Sequence, residues 1–388
     1  MKILVVSYNF GKTSSGKITE RMVDKLHENG NEIYLICGNN YCSSKPYSVK
    51  TINPNPVRPS SFFKILGNYI NHEINYFFWE FRAKRFCLNF LKKKKIDFIY
   101  SRGSPISSLK VGDFLKQKTK ILHFVHFADP MPPTLDWMKN NLERRKILKT
   151  ITPIIYNADA CFFSNDAMLN YQYKNLMISY HKDKNFITPN PMQCLQYFGK
   201  PNHEKIIFSY VGTFAKQRNP ELVCKAFLEF SKDKEDVEFH IYGDNLRNDY
   251  LKKYVSNKTK IKIFNYEKNV SNIYKKTNIL IDIDSNAEEN VFISGKLNEY
   301  LCCDRYILLI TQKNSPSYNL VCKMKNSVLF SNINFSEIVS GFNSMYKKLW
   351  TKIDFLERKK IYNDLNINNI VYKLELNFKK KIGASKAI

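Results

Sequence analysis

The chain opens Met1-Lys2-Ile3-Leu4-Val5-Val6-Ser7, runs through Gly11-Lys12-Thr13-Ser14-Ser15-Gly16-Lys17, and reaches Glu32-Ile33-Tyr34-Leu35-Ile36-Cys37. The reading of these pieces decides the fold class. Ile3-Leu4-Val5-Val6 is a continuous apolar run, the pattern of a strand buried on both faces. A polar Gly/Ser loop follows. Ile18, Met22, Val23 and Leu26 then recur at helical spacing, and Gly30 stops the helix. Glu32–Cys37 starts a second strand. Strand, loop, helix and strand in this order predict an α/β protein with a doubly wound parallel sheet.

The alternation continues. Strands are expected at Asp97-Phe98-Ile99-Tyr100, from Ile121 to Phe127, and from Ala158 to Phe163. Thr188-Pro189-Asn190-Pro191 then breaks the pattern, because two prolines hinder helix and ladder alike. Beyond it the pattern restarts, with strands expected at Ile206–Val211, Val237–Tyr242, Asn278–Ile281 and Tyr306–Ile310. Asn219-Pro220 reads as an N-cap with proline at the first helical position. The expected organisation is a first α/β domain over 1–188, a second over 189–365, and a helical, basic tail over 366–388 that returns to the first domain. Two such halves facing each other would form a cleft, and ligands in such sheets sit beyond the carboxyl ends of the strands.

Composition narrows the function classes. The chain has 388 residues, 44% hydrophobic and 25% charged, which is globular composition. No apolar run approaches the roughly 20 residues that span a bilayer. The N-terminal apolar run is too short for a signal peptide, so the expected location is the cytoplasm. Lys and Arg total 61 against 35 Asp and Glu, a formal charge of +26 that attracts polyanions. The nine cysteines are scattered without paired CxxC sites, which argues for free thiols and against zinc.

Two loops could hold an anion. Gly11–Lys17 fits GxxxxGK, but Ile18 stands where a P-loop needs the hydroxyl that holds magnesium. A Gly-rich loop at a helix N-terminus can still present N–H groups to a diphosphate. A plain polar loop is the alternative. In Phe292-Ile293-Ser294-Gly295-Lys296-Leu297-Asn298-Glu299-Tyr300-Leu301, Ser294 and Gly295 open a helix and Lys296 adds a positive charge. Glu299, three residues on, could accept both hydroxyls of a ribose. An ordinary amphipathic helix with a Lys/Glu pair is the bland reading.

Lys296-Leu297-Asn298-Glu299-Tyr300-Leu301 resembles the K-L-x-E-Y-L signature of the GT-B glycosyltransferases of glycosyltransferase family 4, also called group 1. Tyr210-Val211-Gly212-Thr213 with Arg218-Asn219-Pro220 resembles the opening of that family's donor domain, and Ile241-Tyr242-Gly243 its next strand end. Thr188–Pro191 resembles the interdomain hinge. Val125-His126-Phe127-Ala128-Asp129-Pro130 resembles the acceptor-domain stretch in which a His or Asp meets the sugar. The likeness spans about residues 1–310. It implies a GT-B fold of two Rossmann-like domains and a retaining transfer of a sugar from a nucleotide-sugar donor to an acceptor hydroxyl. The implied acceptor is a lipid-linked or glycan precursor of surface polysaccharide or lipopolysaccharide, and no metal or other cofactor is required.

The resemblance implies roles by residue. Gly16, Gly212, Ser294, Gly295 and Lys296 would hold the donor diphosphate. Arg218, with Lys216, would neutralise charge as the bond to the sugar breaks, and Glu299 would hold the ribose. Asp129 or His126 would polarise the acceptor hydroxyl or orient the sugar. The family's E-x7-E would place a glutamate at residue 291, where this chain has Val291; Glu288 and Glu289 are out of register. Asp282-Ile283-Asp284 matches D-x-D, a pattern of metal-dependent sugar transferases of another fold; here it reads as support at a strand end. From Ser61 to Lys95, aromatic residues interleave with Arg82, Lys84, Arg85 and Lys92–Lys95. Such interleaving suits an anionic membrane surface at the inner leaflet, against a helix pair with a solvated basic end. No recognition-helix or RNP pattern points to nucleic acid. The other activities to weigh are a P-loop-like NTPase centred on Lys17 and a non-catalytic basic module that binds membrane or nucleic acid.

Overall fold

The structure is a computed structural model that describes residues 1–38, 44–53, 67–103, 105–135, 140–176, 181–201, 204–212, 218, 220–243, 249–255, 260–265, 267, 269–324, 326–349 and 356–386. The chain divides into two compact units. Unit 1 holds Met1–Pro133, Met138–Pro191 and Ile367–Ile388; unit 2 holds Thr134–Trp137 and Met192–Asn366.

Unit 1 is built on seven strands: β1 (Lys2–Val6), β2 (Glu32–Cys37), β3 (Ser48–Thr51), β4 (Phe98–Arg102), β5 (Leu122–His126), β6 (Ala160–Phe163) and β7 (Asn185–Ile187). They lie in the order β3-β2-β1-β4-β5-β6-β7, and every pair is parallel. Parallel neighbours need crossovers, which intervening helices supply for most pairs; β2 and β3 are consecutive elements. Ile3 to Val6 are fully buried, as a strand covered on both faces must be. The helix Ser14–Glu28 lays Met22, Val23 and Leu26 against the sheet and starts at Thr13, whose side chain accepts the N–H of Gly16. The last helix, Ile367–Lys386, belongs to this unit. Its Phe378 sits among Phe98, Phe124, Phe162 and Tyr100, and its Glu375 accepts hydrogen bonds from Asn29 and Asn31.

Unit 2 repeats the plan with six strands: β8 (Ile206–Val211), β9 (Val237–Tyr242), β10 (Ile261–Phe264), β11 (Ile279–Ile283), β12 (Tyr306–Ile310) and β13 (Val328–Ser331). Their order is β10-β9-β8-β11-β12-β13, again all parallel. One face packs Phe208, Tyr210, Phe227, Phe230 and Phe342 into an aromatic core. The other face packs Leu280, Leu297, Tyr300 and Leu301. The helix Leu356–Leu365 is pinned to this unit by Arg358, whose guanidinium donates to the carbonyls of Cys303, Arg305 and Ser327.

Apart from the short excursion Thr134–Trp137, the chain passes between units at Pro191/Met192 and at Asn366/Ile367. These crossings lie side by side: the N–H of Met192 donates to the carbonyl of Leu365 at 2.8 Å. The described strands include four with no sequence expectation, β3, β7, β10 and β13, and all four are sheet edges. The loop Gly243–Asn245 lies in part, and Phe62, Phe63, Ile65 and Leu66 lie wholly, outside the described residues.

Candidate active site

In both sheets the strand order turns back beside the first strand, between β1 and β4 and between β8 and β11. Crevices for ligands form at such switch points, beyond the carboxyl ends of the strands. In unit 2 those ends are Val211-Gly212 and Ile283-Asp284, and the helix Gly295–Leu301 follows. Tyr300 ties the helix to the switch point. Its buried hydroxyl accepts the N–H of Val211 at 2.9 Å.

Gly212 has φ +132°, a region that favours glycine. A Cβ at this position would lie 3.1 Å from Lys296 Cδ. The glycine therefore leaves the channel along which the lysine runs. Lys296 Nζ lies 5.1 Å from the centroid of the Tyr210 ring. Burial and the neighbouring Arg218 push the lysine down to about 8, against the pull of Asp282, Asp284 and Glu299. Burial works against the charge of Arg218 as well, but Asp282, Tyr210 and Asp284 outweigh it and hold the guanidinium above its ordinary value.

The two carboxylates of the D-x-D pattern are the counter-charges. Asp282 is fully buried, and Ser294 Oγ donates to its Oδ1 at 3.0 Å. Burial raises the Asp282 carboxyl, while Lys296 and Arg218 oppose the rise. Asp284 accepts the Thr311 hydroxyl at 2.9 Å and the Ser285 N–H at 2.9 Å. Ser294 thus turns its hydroxyl to Asp282 and makes no side-chain cap on the helix it precedes. Gly295 is exposed, with open space where a side chain would be. Glu299 is half-buried beside Tyr274, whose phenol is raised by burial and then by that carboxylate. Glu288 is exposed and Val291 buried. Lys216 lies outside the described residues. Among the described residues no three His, Cys, Asp or Glu side chains gather to hold a metal ion.

In unit 1 the expected residues spread over several environments. The N–H of Gly16 is already donated to Thr13 Oγ1 at 3.0 Å. A Cβ on Gly16 would lie 1.8 Å from the carbonyl oxygen of Asn9. This glycine serves a close approach of loop and helix, and its own N–H is engaged within the loop. Lys17 is exposed. His126 is buried, its Nδ1 2.6 Å from the Tyr100 hydroxyl, and burial and Arg102 keep it well below the ordinary histidine value. His123 points to the other face, with Nε2 2.6 Å from Ser101 Oγ, and burial pushes it down to about 3. The opposite faces follow from the odd spacing along β5. Asp129 is half-buried just beyond β5, within the field of Arg102.

Three participants have roles that no motif assigns. Tyr210 and Tyr300 lie within quoted motifs, but the Tyr210 ring beside Lys296 and the bond from Val211 to Tyr300 show only once β8 and the helix Gly295–Leu301 pack together. Arg102 is a buried guanidinium at the end of β4 that donates to Met22 Sδ and to Asn190 Oδ1, both at 3.1 Å. Its single trace in the sequence is an arginine at the end of an apolar run. What the unit 2 cluster can do is hold an anion: a lysine and an arginine converge at a strand switch point, beside a glycine that keeps the path clear.

The comparisons agree with this fold. The chain is similar over 98% of its length, and 98% of the other's, to a crystal structure of a glycosyltransferase from Rickettsia africae, at TM-score 0.73 and 14% identity. The fold is GT-B. A second GT-B structure, Anabaena HepE in complex with UDP and glucose, matches at TM-score 0.69 and 10% identity, covering 98% of this chain and 99% of that one. A third, the lipopolysaccharide outer core galactosyltransferase WaaB, matches at TM-score 0.64 and 13% identity over 99% and 100% of the two chains. The family model for glycosyl transferases group 1 matches residues 197–283, which hold β8 to β11 of unit 2. The chain resembles the group 1 glycosyltransferases. No curated protein matches it.

Proposed function

We propose that the protein is a glycosyltransferase that takes a sugar from a nucleotide-sugar donor and passes it to an acceptor hydroxyl. The observation that carries this reading is the cluster of Lys296 and Arg218 at the β8/β11 switch point, with Gly212 shaped around the lysine. Breaking the bond between sugar and diphosphate leaves negative charge on the diphosphate. Two preorganised cations in a site shielded from water stabilise that charge as it develops. In this reading they, and not a metal, do the neutralising, with Lys216 as a further cation. Glu299 holds the ribose, and the Ser294-Gly295 turn approaches the phosphates. Asp129, half-buried past β5, is offered as the group that meets the acceptor hydroxyl. The buried His126 supports it from the strand.

The finer parts of the proposal are a hexosyl donor, retention of configuration, and an acceptor that is lipid-linked or a glycan precursor. They draw support from the resemblance, from HepE, solved with UDP and glucose, and from WaaB, a lipopolysaccharide galactosyltransferase. Among the described residues no helix is long and apolar enough to cross a membrane. We place the enzyme in the cytoplasm, docked peripherally on the anionic inner leaflet, with nucleic acid no part of its work.

A melting-temperature screen against UDP, GDP and ADP tests the reading. A ligand at a hundredfold excess over its Kd stabilises by about 2.7 kcal/mol, which is readily seen. One nucleotide is expected to protect the protein, and Glu299→Ala to reduce that protection. No shift with any of the three would sink the proposal. ATP hydrolysis lost on Lys17→Ala would favour the NTPase instead.

A further inference from the structure

Unit 2 holds two cations, Lys296 and Arg218, among two carboxylates, Asp282 and Asp284, with Glu299 further along, so the cations are already balanced by carboxylates. The two carboxylates are not held alike. Asp284 accepts from Thr311 and from the Ser285 N–H. Among the described residues Asp282 accepts from Ser294, and its buried Oδ2 has no hydrogen-bond partner. A buried carboxylate oxygen without a donor is costly unless a nearby positive field, or a proton, compensates it. Lys296 and Arg218 supply that field. A diphosphate drawn to the same two cations turns a balanced cluster into one with excess negative charge. Like charges at close range cannot all stay ionised, and the least well-held group yields first.

We propose that Asp282 is the counter-anion of Lys296 and Arg218, and that it gives up this role to a bound diphosphate by taking a proton on Oδ2. The inference rests on the reading of the cluster as a nucleoside-diphosphate site. One proton moves from solvent to Oδ2, and no bond of the donor changes. The groups that face Asp282 can be named element by element. Asp284 lies on its own strand. Ser294 and Lys296, with Glu299 further along, come from the helix and its lead-in. Tyr210 and Arg218 come from β8 and the segment after it, and the Tyr300 phenol lies behind. The phenols and the guanidinium do not titrate near neutrality. Lys296, at about 8, is already protonated at about pH 7. Asp284 already accepts two hydrogen bonds, from the Thr311 hydroxyl and the Ser285 N–H. Asp282, which burial raises, is left to take the proton. It is a positioning residue for the two cations and touches no substrate.

Calorimetric titration with UDP, GDP and ADP at about pH 7, in buffers of different ionisation enthalpy, counts the protons exchanged. Wild type is expected to take up close to one proton per nucleotide bound. Asp282→Asn is expected to take up none and to bind the nucleotide at least as tightly, because a like charge is gone. Asp284→Asn should keep the uptake. Wild-type binding without proton exchange would overturn the proposal, as would undiminished uptake in Asp282→Asn. A folded Asp282→Asn that binds tenfold more weakly would also overturn it, by reducing Asp282 to a structural prop. Should that variant not fold, the pH course in wild type decides. Uptake near neutrality supports Asp282, and uptake confined to pH above about 8 assigns the proton to Lys296 and overturns the proposal. Absence of binding by all three nucleotides would remove the donor-site reading and this inference together.

Discussion

At Gly212 the backbone runs at φ +132°, and a methyl group there would press on Lys296 Cδ from 3.1 Å. Alanine would strain the turn and displace the lysine at once. Gly212→Ala is expected to lower stability by about 1 kcal/mol or more. It should weaken nucleotide binding out of proportion to that loss. Thermal melts with and without nucleotide separate the two effects. Lys296 also sets a pH limit. Its folded-state value of about 8 lies below that of a free lysine, so its charge disappears as pH rises through about 8. Proton uptake at Asp282 should already lower nucleoside-diphosphate affinity as pH rises near neutrality, and loss of the lysine charge should steepen that fall above about pH 8, by up to a further tenfold per unit. A slope that does not steepen between pH 7 and pH 9 would remove Lys296 from the site. The type and spacing of Lys296 and Glu299 were legible in the sequence. The reason for Gly212, the coupling to Asp282 and the brace from Tyr300 were not, because each depends on groups from different elements.

At the scale of elements, the helix Gly67–Leu91 has two faces. Trp79, Ala83 and Cys87 are buried in the core of unit 1, and Glu80 pairs with Lys84 and Lys110. On the other face Phe77 and Phe81 are 63% and 62% exposed, and Phe78, Arg82 and Arg85 are exposed beside them. Exposed aromatic rings with flanking cations suit an anionic lipid interface. The protein is expected to sediment with vesicles that contain phosphatidylserine and to stay in solution with purely zwitterionic ones. The double substitution Phe77→Ser and Phe81→Ser should abolish sedimentation without lowering the melting temperature. Equal binding by both vesicle types would end the idea. Element detection followed burial closely. Central strands such as Ile3–Val6 and Tyr306–Ile310 are covered on both faces and so read as unbroken apolar runs. The edge strands β3, β7, β10 and β13 are short, and β3 and β10 keep Ser48, Lys50 and Lys262 exposed. Their signal is brief: β13 offers only Val328-Leu329-Phe330, and β10 interrupts its apolar residues with Lys262, so neither stands out as a long apolar run.

Across the whole molecule, the return of the last helix to unit 1 has a measurable consequence. Val371, Leu374 and Phe378 are fully buried there, and Phe378 contacts four aromatic rings. Phe378→Ala is expected to cost unit 1 about 3–5 kcal/mol. Calorimetry should show the transition of unit 1 shifted down and that of unit 2 retained. A uniform shift of both would argue that the helix stabilises the chain in some other way.

The sequence alone determined what depends on local pattern. Apolar runs and helical spacing fix two parallel α/β units, and the paired prolines fix the break near Pro191. The ordered motifs of the second half carry the likeness to group 1 glycosyltransferases. The tertiary structure decided what depends on long-range approach. It showed that His126 is packed under Tyr100, and that Asp282 and Asp284 face Lys296 and Arg218. The physical reason is range: burial periodicity is written within a few neighbouring residues, whereas charge balance and hydrogen-bond satisfaction are set by groups tens of residues apart.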